Sequence, residues 1–167
     1  LGYRNVTIER VCSHARLTAR HFYEEFGGRE ALLRAVYDRT VAGALDAVVA
    51  AVAAAGPGVR ARSEAGIGAF VHAMLDDPRA ARIVCVEVVG VSDDLERHRR
   101  GVLRAFGEVV TVEARRLIES GDVTLRRDPR LTSLALVGGV NEVIVDWCQS
   151  DDRLPLDVVV AELVDLF

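Results

Sequence analysis

The stretch TIERVCSHARLTARHFYEEFGGREALL, residues 7–33, decides the fold of this 167-residue chain. One apolar helix face, at the spacing i, i+3, i+4 and i+7, is formed by Ile8, Val11, Cys12 and Ala15. A second apolar pair at i, i+4 follows at Phe22 and Phe26. Thr7 and Thr18 stand before these two segments, and threonine is a favoured N-cap residue. The pattern predicts two short helices, joined by a tight turn, in front of a third helix that begins near Arg29.

The rest of the chain also has helical signals. No helix breaker occurs between Arg29 and Ala55, which predicts about 40 Å of continuous helix. The Gly- and Pro-rich segment 56–68 predicts a loop, with a helix resuming near Ser63. N-cap or Pro-N1 signals predict helices over 77–90, 92–121 and 154–167, and the apolar segment 131–150 predicts a further helix. Because no segment shows the strict alternation of a strand, an all-α protein is predicted.

Composition limits the class of protein. The chain is 50% hydrophobic and 28% charged, enough for one sizeable core with a very small second domain. The apolar run VAGALDAVVAAVAAAG is shorter than the roughly 20 residues that cross a bilayer, so we expect no membrane partner. Three widely spaced cysteines indicate reduced thiols rather than a disulfide framework or a metal site, and we expect a cytoplasmic protein with no cofactor.

Charge is distributed unevenly along the chain. Residues 1–40 contain seven arginines and five acidic residues, a net charge of +2, whereas residues 41–167 contain fourteen arginines and twenty acidic residues, a net charge of −6. This basic excess at the amino-terminal end is a weak indication of nucleic-acid binding.

Two short helices joined by a three- or four-residue turn are typical of a helix-turn-helix, whose second helix enters the major groove of DNA. An ordinary helical hairpin has the same apolar spacing. The helix-turn-helix is favoured by the short or hydrogen-bonding side chains at the start of the second helix, which are Thr18, Ala19, Arg20 and His21.

The amino-terminal end resembles the tetracycline-repressor (TetR) family of bacterial transcriptional regulators. The matching positions are Gly2-Tyr3, Thr7, Val11-Cys12, Ala15-Arg16-Leu17-Thr18, Phe22-Tyr23, Phe26, Arg29-Glu30 and Leu32-Leu33. Arg16 departs from the pattern, which has glycine there, and a non-glycine residue in that turn costs roughly 1 kcal/mol if φ is positive. The resemblance implies a helix-turn-helix DNA-binding domain over 1–40, with its first helix largely missing, and a helical effector-binding and dimerisation domain over 41–167.

The resemblance also implies roles for individual residues. Thr7, Tyr23 and Arg29 are expected to contact phosphates. Arg20 and His21 are expected to contact base edges. The expected DNA-binding set is Thr7, Thr18, Ala19, Arg20, His21, Tyr23 and Arg29. The expected function is a repressor that binds operator DNA as a homodimer and is released by a small, largely apolar effector.

The helix over residues 132–148 is apolar almost all round, so it must be covered on several sides, either by a partner subunit or as the centre of the core. With the last helix it predicts a dimer interface of Leu136, Gly138, Gly139, Val140, Val143, Trp147, Leu163 and Phe167. The candidate effector residues are aromatic, sulfur-bearing or polar residues in apolar helices. They are Phe70, Met74, Cys85, Glu87, Phe106, Asn141 and Trp147.

An enzyme is not predicted. The sequence has no Ser/His/Asp arrangement, phosphate-binding glycine loop or metal-spaced His/Glu pair, and its Asp-Asp pairs at 76–77, 93–94 and 151–152 stand at helix starts, where acids act as caps. The alternatives to an effector-gated repressor are an effector-independent DNA-binding repressor and a helical adaptor that does not bind DNA. The effector and the operator sequence cannot be identified from these residues.

Overall fold

The structure is a computed structural model that describes residues 2–121, 124 and 128–166. A 3₁₀ turn at Tyr3–Asn5 precedes eight α-helices in the described residues, none of which form a strand. The helices are α1 (Ile8–Ala15), α2 (Ala19–Glu25), α3 (Arg29–Ala54), α4 (Val59–Leu75), α5 (Pro78–Arg82), α6 (Asp93–Glu119), α7 (Pro129–Gln149) and α8 (Leu156–Leu166). A π-helical turn, Ile83–Glu87, continues α5. The predicted all-α class is confirmed.

The capping residues of α1 and α2 are those that the sequence indicates. The Thr7 hydroxyl accepts a hydrogen bond from the Arg10 amide at 3.3 Å, and the Thr18 hydroxyl accepts one from the His21 amide at 3.3 Å. Each bond satisfies a backbone donor that has no partner inside its helix. Between the helices, Arg16 has a left-handed backbone with φ 57° and ψ 38°. The φ at this turn is therefore positive, a conformation that costs about 1 to 2 kcal/mol for a non-glycine residue.

Helix α3 extends from the helix-turn-helix into the core, as predicted. Its buried residues recur on one face, at Leu33, Tyr37, Val41, Ala44 and Val48. This face packs mainly on α4, while α8 packs on the other side of α4, and α6 packs on α7. The centre of the core contains fully buried side chains from four of these helices, namely Tyr37, Val71, Met74, Leu95 and Ile144.

The predicted loop over residues 56–68 is wrong in its extent. Only Ala55, Gly56, Pro57 and Gly58 lie between α3 and α4, and Ser63 lies inside α4. Gly58 has a φ of +98°, which lets the chain reverse within four residues. Glycines at 66 and 68 therefore belong to a packed helix, where a Cβ on Gly66 would lie 3.0 Å from the Val52 side chain.

The predicted helix over 77–90 is interrupted. The Asp77 carboxylate caps it by accepting from the Arg79 amide at 3.0 Å, and Pro78 takes the first helical position, as the sequence indicates. After Arg82 the helix widens into the π-helical turn, and the chain turns away at Gly90 with a φ of +70°. π-helical turns are rare and often mark functional positions.

A buried ion pair joins α4 to α6. The Arg62 side chain is only 9% exposed, and its Nη2 donates to Glu113 Oε2 at 2.9 Å, while its Nε donates to the other carboxylate oxygen. The two parallel hydrogen bonds hold both helices in one register. No sequence signal identified this pair, because its members are separated by 51 positions.

Candidate nucleic-acid interface and effector site

The outer face of α2 is open to solvent. The Arg20 side chain is 87% exposed and pairs with Glu24, one turn further along the helix, at 2.9 Å. The His21 ring turns back toward the capping threonine, with Nδ1 2.9 Å from the Thr18 hydroxyl. Ala19 is also exposed. The α2 surface therefore presents one extended guanidinium, one imidazole and small side chains, which can enter a groove.

The residues expected to contact phosphates lie around this face. Thr7 is exposed at the start of α1, and the Tyr23 ring, 60% exposed, stacks edge-on against Phe22 at 5.5 Å between ring centroids. Arg29 is more constrained than the sequence indicates. Its Nη1 donates to the Val6 carbonyl at 2.5 Å, and its guanidinium carbon lies 5.2 Å from the centre of the Tyr3 ring. It therefore stabilises the chain before α1 in addition to any contact with DNA.

The exposed face of α1 adds polar groups that the sequence analysis did not select. A shallow depression is lined by Glu9, Arg10, Ser13 and His14. Arg10 and His14 lie one turn apart, and Arg16 follows at the turn before α2. The signal that could have found them is their shared i, i+4 face opposite the apolar stripe.

Polar contacts join the helix-turn-helix and the first turns of α3 to the larger helical part. The Tyr3 amide donates to Glu87 Oε2 at 2.6 Å, Ser92 Oγ donates to Glu30 Oε1 at 2.5 Å, and His98 pairs with Asp38. The first contact fills the space beside Gly2, where a Cβ would lie 3.0 Å from the Glu87 carboxylate oxygens. These contacts link the start of the chain and the first turns of α3 to the π-helical turn and to α6.

The seven candidate effector residues do not form one site. Phe70 and Phe106 meet with ring centroids 5.1 Å apart, and Met74 is fully buried in the same core. Cys85 and Asn141 meet separately, with Sγ 3.9 Å from Oδ1. Burial raises the pKa of the Cys85 thiol to about 12, so this thiol is protonated at neutral pH.

Glu87 and Trp147 have hydrogen-bond partners within the chain and lie apart from the Phe70–Phe106 contact. The Glu87 carboxylate is used by the Tyr3 amide and by Arg82 Nε at 2.8 Å. The Trp147 indole N–H donates to the Leu154 carbonyl at 2.8 Å, and the Arg153 guanidinium lies over its ring. Both polar groups are satisfied within the chain, so neither requires a ligand.

The predicted dimer-interface residues differ in how far they are buried within the chain. Val140 and Leu163 are 4% and 3% exposed inside the chain's own core, so the prediction that they meet a partner is wrong. Gly138 and Val143 are exposed on α7, and Leu136, Gly139 and Trp147 are half-buried there. Phe167 lies outside the described residues. The exposed large apolar side chains that the prediction omitted on α7 and α8 are Leu131, Leu134, Val158 and Leu166.

Helix α7 is long and apolar enough to cross a membrane by length and composition alone, with a mean hydropathy of 1.3 over its most apolar window. The expectation of no membrane partner rested on the run VAGALDAVVAAVAAAG, which begins in α3, and did not include this helix. Only 17% of that window is buried within the chain. Since a helix that packs against another protein subunit has the same composition, this finding is weak support for a membrane span.

Residues 2–36 match the family model described as "Bacterial regulatory proteins, tetR family". A search of curated proteins found no match to this chain. The matched segment contains the 3₁₀ turn, α1, α2 and the first part of α3, which together form the helix-turn-helix and its connection to the core.

Solved structures extend the similarity to the whole fold. The fatty acid degradation regulator FadR from Bacillus halodurans is 17% identical with a TM-score of 0.89, covering 98% of this chain and 84% of that one. The transcriptional regulator FadR from Bacillus subtilis, solved in complex with stearoyl-CoA, is 15% identical with a TM-score of 0.88, covering 99% and 88%. The TetR family transcriptional regulator PfmR from Thermus thermophilus is 18% identical with a TM-score of 0.78, covering 98% and 88%. The resemblance seen in the sequence is confirmed: this chain carries the amino-terminal segment of the tetR family of bacterial regulatory proteins, on the fold of regulators of that family.

Proposed function

We propose that this protein is a cytoplasmic transcriptional repressor that reads operator DNA with α2. The observation that carries the proposal is the capped, solvent-exposed face of α2 inside a segment that matches the tetR family model. Arg20 and His21 are the proposed base contacts, and Thr7, Tyr23 and Arg29 are the proposed phosphate contacts. Thr18 and Ala19 complete the surface, with Thr18 also holding the amino-terminal end of α2 in shape.

Selection from a random duplex pool tests this proposal directly. The protein should enrich a motif with twofold symmetry whose half-sites lie about one helical turn, roughly 34 Å, or a multiple of it apart. The same selection with Arg20→Ala tests the proposed base contact. This variant keeps the capping bonds of α2 and should lose preference at one base position in each half-site. Recovery of no motif, together with equal weak binding of every duplex, would argue for the helical adaptor instead.

The proposed assembly is a homodimer through α7 and α8. Support comes from the apolar side chains that these helices leave exposed, among which Leu131, Leu134 and Leu166 are at least half exposed. A Cβ on Gly138 would meet no atom of this chain within 4 Å, so the surface there is open to a second backbone. Exposed apolar side chains on a helix are typical of an interface when they lie together on one face, as Leu131 and Leu134 do at the spacing i, i+3 on α7. The domain division proposed with it is 1–40 for DNA and 41–167 for effector binding and dimerisation.

The proposed effector is a small, largely apolar molecule that lowers operator affinity. The proposed site is reduced to the group of Phe70, Met74 and Phe106, while Cys85 and Asn141 form a separate contact. In this structure the Phe70 and Phe106 rings are in contact, with centroids 5.1 Å apart, so a ligand that binds between them has to separate the two rings. Long-chain acyl thioesters are the first class to test, since the Bacillus subtilis regulator of similar fold was solved with stearoyl-CoA.

A titration with acyl-CoA esters of increasing chain length tests the effector. Long chains should release the protein from its selected duplex, while free coenzyme A should not, because coupling requires different affinities for the DNA-bound and free states. Phe106→Trp narrows the core and should shift the preferred chain length downward. If no acyl chain length and no other apolar compound tested changes DNA affinity, the effector-independent repressor is favoured. The contact between the Phe70 and Phe106 rings supports that alternative function.

A further inference from the structure

Arg16 has an unfavourable left-handed backbone conformation, and its side chain has no hydrogen-bond or ion-pair partner among the described residues. It is the one non-glycine residue with positive φ among the residues that the structure describes. In this left-handed conformation the Cβ of an L-residue approaches the next carbonyl oxygen, and glycine avoids the clash. The Leu17 amide closes the turn on the Cys12 carbonyl at 2.9 Å, a backbone bond that needs no particular side chain at position 16. The geometry of the turn therefore favours glycine.

The Arg16 guanidinium is exposed, and it makes no hydrogen bond or ion pair with any part of the chain between residues 2 and 121 or with the described part beyond. The two arginines that follow it in the chain differ in this respect. Arg20 pairs with Glu24, and Arg29 donates to the Val6 carbonyl. The one internal gain is the weak attraction between a cation and the carboxyl-terminal end of α1, which solvent and salt screen.

Arg16 lies two positions before Thr18, the residue that caps α2. Its long side chain starts at the edge of the surface proposed to enter the groove, beside the exposed cations of α1. Backbone strain that the surrounding structure maintains is often found where a side chain has a function. We propose that Arg16 is a DNA phosphate contact flanking α2, at the position where the family pattern has glycine and no side chain. This inference rests on the proposed DNA-binding function.

Three variants separate the side chain's role from the backbone's. Arg16→Gly removes the guanidinium and relieves the backbone. Arg16→Lys keeps the charge and the backbone. Arg115→Ala is the control and removes an exposed arginine on α6. Ser92, at the start of α6, contacts the start of α3, and Arg115 lies about 34 Å further along α6, away from the helix-turn-helix. The probe is a mixed-sequence duplex of roughly 30 base pairs, so the operator need not be known.

Affinity measured between roughly 50 and 200 mM salt gives the number of phosphates that the protein neutralises. We expect Arg16→Gly to bind on the order of tenfold more weakly at the lowest salt and to flatten the log–log salt slope by about 0.9 for each phosphate that is no longer neutralised. Arg16→Lys should keep the wild-type slope, and Arg115→Ala should match the wild type in both respects.

Thermal unfolding supplies the second measurement. Glycine at position 16 removes the strain of a side chain at positive φ, which should raise the Tm by about 2 to 4 °C. Weaker DNA binding by Arg16→Gly would then accompany a more stable fold. An Arg16→Gly protein with the wild-type salt slope overturns the phosphate contact, even if its affinity changes. If the wild-type protein binds no duplex at any salt concentration, the proposed DNA-binding function itself is rejected. The wild-type titration therefore distinguishes failure of that function from failure of the Arg16 contact.

Discussion

The Tyr3 amide donates a 2.6 Å hydrogen bond to the carboxylate of Glu87, a residue 84 positions further along the chain. Glu87 ends the π-helical turn after α5 and also accepts from Arg82 Nε. One carboxylate thus connects the segment before the helix-turn-helix to the larger helical part, and it does so beside Gly2, where no side chain larger than hydrogen fits without a shift.

Glu87→Gln should weaken this connection. The amide retains one acceptor oxygen for two donors, so we expect a loss of about 1 to 2 kcal/mol in the free energy of unfolding at neutral pH. Urea denaturation, with Glu108→Gln on the exposed face of α6 as the control, measures the difference. A Glu87→Gln protein as stable as the control variant would show that the contact contributes nothing.

The same residue predicts a pH dependence. Burial alone raises the pKa of the Glu87 carboxyl, but hydrogen bonds from Arg82 and from the Tyr3 amide outweigh burial and hold the pKa below its ordinary value. Because the folded pKa is lower than the unfolded one, near 4.3, the stability contributed by the carboxylate is complete above about pH 4.3 and is lost as pH falls through the folded pKa. The difference in stability between the wild type and Glu87→Gln should therefore shrink below about pH 4.3. A difference that stays constant down to about pH 3 would contradict this assignment.

The Arg62–Glu113 pair predicts non-additive mutations. Glu113→Leu leaves the buried guanidinium without its partner and should lower the Tm by about 5 to 10 °C. Arg62→Met alone should also lower the Tm, whereas the double variant Arg62→Met/Glu113→Leu should recover most of the loss, because no uncompensated charge remains. Calorimetry of the four proteins in this cycle measures the coupling, and additive losses would mean that the two residues do not interact in solution.

Association through α7 and α8 predicts that Leu134→Arg/Val143→Arg sediments as a monomer at micromolar concentration while remaining folded. Both positions are at least a third exposed in the single chain, so the charges destabilise the interface and not the core. The matched control is Val112→Arg on α6, which is 64% exposed and equally apolar. Unchanged association of the double variant would place the interface on another face.

Arg20 and Arg29 should differ in their effects on DNA binding. Arg20→Ala should weaken a selected site by about 1 to 3 kcal/mol and relax one base position, while Arg29→Ala should weaken all duplexes alike and flatten the salt slope by about one. Since Arg29 also holds Val6 and Tyr3, its replacement should lower the Tm as well, whereas exposed Arg20 should not. Equal binding profiles for the two variants would contradict these separate roles.

Local signals in the sequence determined the helices and their caps. The predicted caps Thr7, Thr18 and Asp77 act on amides within three residues of themselves, and the apolar spacing of α1 and α2 needs only the geometry of one helix. The family resemblance rests on the same short segment, residues 2–36. The family pattern marked the Arg16 turn as a position that has glycine, and the structure shows that φ is positive there.

Only the tertiary structure decided which faces of the long helices are buried and which distant residues meet. Val140 and Val143 are equally apolar in sequence, but α7 turns the first into the core and leaves the second exposed, because its neighbours cover one side only. Glu87 looked like an unpaired polar group in an apolar helix until the fold brought the Tyr3 amide to it. Side-chain spacing specifies a helix face, whereas the partner of that face depends on contacts between segments tens of residues apart, which no local pattern encodes.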